Sequence, residues 1–134
     1  MKHNMLKKVT ATILGIGIVS MGAAALAGTS YEPYDTTVAA FNGNGYTGYQ
    51  KKATTGANGA LSSTSVGGTY VVDARMQDAT SGVHGPWVRD VNDSTSYVLY
   101  SDAQHSATDS MRVQFSNDLT TPVSVQVTGN WKSN

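Results

Sequence analysis

The sequence predicts an all-β protein: a single antiparallel β-sandwich or small barrel of about eight short strands, preceded by a helical signal peptide. Three observations carry this. Between residues 28 and 134, Ser, Thr, Asn and Gly supply 45 of 107 residues, and valine supplies 12. Strong helix formers are scarce there, with three Leu, three Lys and one Glu, so propensity disfavours helix and favours pleated strands. Apolar and polar residues also alternate with period two in several runs, and Gly/Asn/Asp/Ser clusters punctuate those runs. The eleven aromatic residues and the alternation argue against disorder, which high Ser/Thr/Gly with low charge would otherwise suggest.

Residues 1–27 differ in kind from the rest. Met1–Lys8 carries Lys2, Lys7 and Lys8 without an acid, Val9–Ala27 has no charge, and Ala25-Leu26-Ala27 has the small-x-small form of a cleavage site. A basic segment, an apolar segment and an A-x-A site make a secretory signal peptide. The competing reading is a retained anchor, because nineteen uncharged residues suffice to span a bilayer. Gly15, Gly17 and Gly22 within the run weaken it. With 1–27 set aside, residues 28–35 read as an N-terminal arm and 36–134 as the β domain. Six basic residues (Lys51, Lys52, Arg75, Arg89, Arg112, Lys132) then face nine acids, so the overall neutrality of the chain becomes a net charge of −3. That balance excludes a general nucleic-acid binder, which needs a basic footprint. The absence of cysteine excludes a disulfide framework, a thiolate metal site and a cysteine nucleophile.

Thr36–Phe41 is the first run of the domain, and Asn42-Gly43-Asn44-Gly45 separates it from Tyr46–Thr54. Leu61–Val66 is followed by Gly67-Gly68, a two-residue hairpin signal, and then by Tyr70, Val72, Ala74 and Met76 alternating with Val71, Asp73 and Arg75. Asn92-Asp93-Ser94-Thr95 separates Trp87–Val91 from Ser96–Ser101. Met111, Val113 and Phe115 alternate with Arg112 and Gln114, and Val123, Val125, Val127 and Trp131 with Ser124, Gln126 and Thr128. These last two runs are expected to form a hairpin, with Gly129 marking a bulge. The expected core is Val38, Phe41, Tyr46, Leu61, Val72, Met76, Trp87, Val91, Leu99, Met111, Val113, Phe115, Val123, Val125, Val127 and Trp131.

Chemistry-bearing constellations are sparse. His84 lies in a flexible loop before a strand. His105 lies in a polar loop with Asp102 and Asp109, a set that suits zinc or manganese only if further ligands join it. Asp90, Asn92 and Asp93 resemble half a calcium loop but lack its glycine and bidentate glutamate. No G-x-S-x-G is present, and the only glutamate after residue 27 is Glu32. The expectation is therefore a non-enzyme with no metal and no cofactor. Tyrosine is the better lead, because it is large, rigid and able to donate a hydrogen bond. Tyr31, Tyr34, Tyr46, Tyr49 and Tyr100 are the candidate ligand-binding residues. Lys51-Lys52 adds either a local positive spot or a guard on an edge strand.

In layout, the export signal, Tyr46-x-x-Tyr49-Gln50-Lys51-Lys52 and Val125-Gln126-Val127-Thr128-Gly129-Asn130-Trp131 resemble small secreted Bacillota proteins of a domain-of-unknown-function type. More distantly, lactococcin-972-like bacteriocins are similar in being small, exported, cysteine-free β proteins. Neither resemblance implies a catalytic residue. The expected function is a secreted, extracellular, non-catalytic binding or interaction protein of a Gram-positive-type bacterium. Its partners would be glycan, cell wall or another protein, with no nucleic acid, and with membrane contact only through the signal peptide. The alternative is a bacteriocin-like secreted antimicrobial protein.

Overall fold

A computed structural model describes residues 28–134, and the signal peptide expected over 1–27 lies outside the described residues. Nine strands form two antiparallel sheets: β1 (Glu32–Val38), β2 (Asn44–Tyr46), β3 (Gln50–Lys51), β4 (Gly59–Val66), β5 (Val72–Asp78), β6 (Val88–Val91), β7 (Thr95–Leu99), β8 (Ser110–Asn117) and β9 (Val125–Lys132). The first sheet has the order β1-β9-β4-β7. The second has the order β2-β8-β5-β6, with β3 also paired to β8. The all-β sandwich expected from the alternation is the fold observed. No helix of the described residues is long and apolar enough to cross a membrane.

Each sheet turns its alternate residues inward. Val38, Leu61, Val66, Leu99, Val125, Val127 and Trp131 of the first sheet meet Val72, Ala74, Met76, Val91, Met111, Val113 and Phe115 of the second. Phe41, Tyr46 and Val123, expected inside, are exposed, and Trp87 is half-buried. Phe41 sits at a turn tip in a left-handed conformation, φ 53°, fixed by its N–H donating to the Thr121 carbonyl.

The strand pairing departs from the expected hairpins. β8 and β9 lie in different sheets, as do β4 and β5, and of the described strands adjacent in sequence only β5 and β6 pair. The turns at Gly67-Gly68 and at 92–94 therefore carry the chain across the sandwich instead of back along one sheet. Alternation specifies which face of a strand is buried, and that requirement is met equally by a partner in either sheet. The irregularity expected at Gly129 falls on its partner: the β4–β9 register shifts between Ser63 and Ser65, opposite Gly129 and Thr128. The segment read as a free arm is in part structural, because Glu32–Asp35 form the first half of β1 and pair with β9.

Tyr34 shows why. It alternates inward with Val38, is buried, and stacks on Phe115 of the opposite sheet at 5.1 Å between ring centroids. Across the strand it faces Gly129, where a β-carbon would lie 2.6 Å from the phenol oxygen. The hydroxyl is buried beside Ser63 Oγ, and neither oxygen has a hydrogen bond of normal geometry. Burial pushes the Tyr34 pKa up to about 12 from 10.0, against a smaller lowering by Ser63. A folded-state pKa above the unfolded one gives stability that is complete below pH 10 and lost as pH climbs towards 12. Tyr34→Phe is expected to change stability at pH 7 by less than about 1 kcal/mol, since it removes an unpaired buried hydroxyl. It should also flatten the alkaline decline of the urea midpoint between pH 10 and 12. A variant whose alkaline decline matches that of the wild type would contradict this.

Candidate functional site

The outer face of the second sheet concentrates the side chains that are unusual for this chain. On β5, Ala74 and Met76 point inward, so Arg75 and Gln77 point out. On β8, Met111, Val113 and Phe115 point inward, so Arg112 and Gln114 point out. The register sets Arg75 opposite Gln114 and Gln77 opposite Arg112. The result is a reciprocal cross-strand pair: Arg75 Nε donates to Gln114 Oε1 at 2.8 Å, and Arg112 Nε donates to Gln77 Oε1 at 3.0 Å. Each guanidinium also lies over an aromatic ring. Arg75 is 4.1 Å from the centroid of Trp87, beside β6, and Arg112 is 3.9 Å from that of Tyr46 on β2. Tyr49, in the break between β2 and β3, lies 5.9 Å from the same Arg112.

The margins of this face are tied down. Arg89 of β6 forms an ion pair of 2.5 Å with Asp73 and stands 5.7 Å over Trp87. His84 bridges to Gln77, and its Nδ1 accepts from Arg75 Nη1 at 3.1 Å. Thr47 fills the break between β2 and β3: its Oγ1 accepts the Val113 N–H at 2.9 Å, which keeps the ladder continuous beneath Tyr46 and Tyr49. Burial holds Arg75 below its ordinary pKa, Tyr46 acts against that shift, and the like charge of Arg89 adds to it. The side chains on this face are thus held in place by stacking and amide contacts.

The five candidate tyrosines do not form one patch. Tyr46 and Tyr49 belong to this face. Tyr34 is in the core, which corrects its assignment as a ligand contact, since a ring sealed against Phe115 has no surface to offer. Tyr31 is exposed on the first sheet, with Lys132 Nζ 5.0 Å from its ring. It borders an open cleft of about 330 Å3 lined also by Ser62, Ser96 and Asn130. Tyr100 is exposed just past the end of β7. Trp87, Arg75, Arg112, Gln77 and Gln114 were missed as site residues. The sequence did hold a signal, since Arg-x-Gln occurs on the polar phase of two strands, but it reads as a site only once β5 and β8 are known to pair.

Lys52 is neither a positive spot nor an edge guard. It is 2% exposed, and its ammonium donates to the backbone carbonyls of Ala57, Ser133 and Asn134. The loop set around His105 is likewise committed. His105 is buried, its Nδ1 accepts the Asp102 N–H at 3.1 Å, and its Nε2–H donates to the Val83 carbonyl at 2.9 Å. Asp102 and Asp109 accept N–H groups of their own loop, so both imidazole nitrogens and both carboxylates already have partners within the protein. Asn92 and Asp93 cap their turn, and Asp93 Oδ1 accepts the Val66 N–H at 2.6 Å. Asp73, Asp90 and Asp118 bring carboxylate oxygens within 4.8 Å of one another. Both oxygens of Asp73 already accept protein donors, Arg89 and the Asp90 N–H, while Asp90 and Asp118 are solvated. Comparison of the chain with protein-family models, with curated proteins and with solved structures found no match.

Proposed function

We propose that the protein is an exported, non-catalytic binding module that docks carbohydrate, as in a cell wall or a free glycan, on the outer face of its second sheet. One observation carries the reading: Trp87, Tyr46 and Tyr49 are displayed on one face of the second sheet, with amide and guanidinium donors fixed between them. Rings offer flat apolar area to the C–H face of a sugar, and neighbouring amides and guanidiniums satisfy its hydroxyls. Trp87 and Tyr46 are held by the arginines of β5 and β8, which keeps the entropic cost of binding low. The commitment of both His105 nitrogens and of the loop aspartates to backbone contacts favours binding over hydrolysis.

The test is retention of the purified protein on insoluble polysaccharides and peptidoglycan. Wild type is expected to be retained by at least one matrix. Trp87→Ala/Tyr49→Ala should bind about tenfold more weakly or worse, at about 1 kcal/mol per ring beyond its area. Wild type that washes through every matrix, or a double variant retained equally well, would overturn the reading.

A further inference from the structure

We infer that the ligand of this face is an anionic carbohydrate polymer, held through its carboxylate, sulfate or phosphate groups by Arg75 and Arg112 as a paired anion-binding element. The inference rests on the binding-module reading and adds charge to it. Among the described residues, the only ion pair of a lysine or arginine with a carboxylate is Arg89–Asp73. Arg75 and Arg112 are therefore cations without a counter-ion. Their orientation is nonetheless fixed, because each lies flat over a ring and each spends its Nε on a glutamine carbonyl. That leaves both terminal nitrogens of Arg112, and one of Arg75, as unspent donors in the fork geometry that matches an oxyanion.

Position strengthens the argument. Arg75 and Arg112 are diagonal neighbours across the β5–β8 pair, with α-carbons roughly 7–8 Å apart by sheet geometry. Two guanidiniums on one face can meet two anionic groups of one chain at once. Four of the six basic residues after residue 27, Lys51, Arg75, Arg89 and Arg112, lie on this face, although residues 28–134 carry −3 overall. A positive face on a negative domain orients an anionic ligand and disfavours approach elsewhere. Arg75, already crowded by Arg89 and partly desolvated, gains from an arriving anion. Single-stranded nucleic acid would also stack on such rings, but it calls for a longer cationic track than two free guanidiniums supply.

The experiment compares dextran with dextran sulfate, and polygalacturonate with its methyl ester, so that backbone and charge are separated. A (dT)20 oligonucleotide is run in parallel. Dextran sulfate is expected to bind at least tenfold more tightly than dextran and to weaken as NaCl is raised. Polygalacturonate should exceed its ester in the same sense, and the stronger of the two charged polymers identifies the preferred anion. Arg75→Gln/Arg112→Gln should abolish the tenfold preference with unchanged circular dichroism. Lys132→Gln, which removes a positive charge from the outer face of the first sheet, should keep it.

Equal binding of charged and neutral polymers would overturn the inference while leaving the binding-module reading standing. So would a Lys132→Gln variant that loses the preference as fully as the arginine pair does. Tighter binding of the oligonucleotide than of any polysaccharide would also overturn it. Failure of every polysaccharide to bind removes the binding-module reading itself and the inference with it.

Discussion

Replacing Lys52 with methionine is expected to cost about 3–5 kcal/mol of unfolding free energy. The methionine stem fills most of the space of the lysine stem, so packing changes little. What is lost is an ammonium that donates to three backbone carbonyls: those of Ala57, Ser133 at 2.9 Å and Asn134 at 3.3 Å. These carbonyls belong to the segment after β3 and to the chain beyond β9, so the ammonium ties the edge of one sheet to the end of the other. Gln50 does the same two residues earlier, with Nε2 donating to the Trp131 carbonyl and Oε1 accepting the Ser133 N–H. Burial pushes the Lys52 pKa down, with Asp109 opposing, which is the mark of a cation sustained by its contacts rather than by water. The check is the urea midpoint, with Lys51→Met as the exposed neighbour expected to be neutral. A Lys52→Met variant that unfolds at the wild-type urea concentration would show that the three carbonyls find other donors at no cost.

Gly85→Ala should be nearly as damaging, at about 3 kcal/mol, and it should reach the binding face as well. Gly85 is buried between β5 and the end of β7, and its N–H donates to the Met76 carbonyl at 3.0 Å. A β-carbon there would collide with the Tyr100 carbonyl oxygen, which is backbone and cannot rotate away. Relief requires the 84–87 segment to move, and that segment holds His84 against Arg75 and Trp87 under it. The variant is therefore expected to lower the thermal midpoint and also to lose retention on polysaccharide under conditions where it is still folded. Gly48→Ala, with nothing within 4 Å of its added methyl, should change neither reading by more than about 0.5 kcal/mol. An unaltered Gly85→Ala midpoint would mean that the loop is as loose as a run of small and polar residues suggests.

The strand positions were legible because their physics is local. Met111-x-Val113-x-Phe115 must bury one face wherever its partners lie, and the same holds for Val125-x-Val127. Partnership was not legible. The pairing of β8 with β5 instead of β9 depends on where residues more than thirty positions apart meet, and no dipeptide records that. The candidate site inherits this division. Tyr46 and Tyr49 could be singled out as rings near a glycine-rich turn. Arg75 and Arg112 looked like ordinary solvated residues, because their role comes from each other's glutamines and from Trp87, which sequence alone assigns to the core. Tyr34 and Lys52 misled for the opposite reason: a phenol and an ammonium read as surface groups, and only a glycine opposite the one and a ring of carbonyls around the other bring them inside.

The position of β9 sets the order in which the domain can assemble. β9 lies between β1 and β4 in the first sheet, so the middle of that sheet is the last strand to be synthesised and its edge is the first. Nearly the whole chain must be looped before this pairing is rewarded, which places the domain among slow-folding β topologies. Until Val125–Lys132 has emerged, β1 and β4 have no common partner. A growing chain thus lacks the central strand of its first sheet until β9 is made.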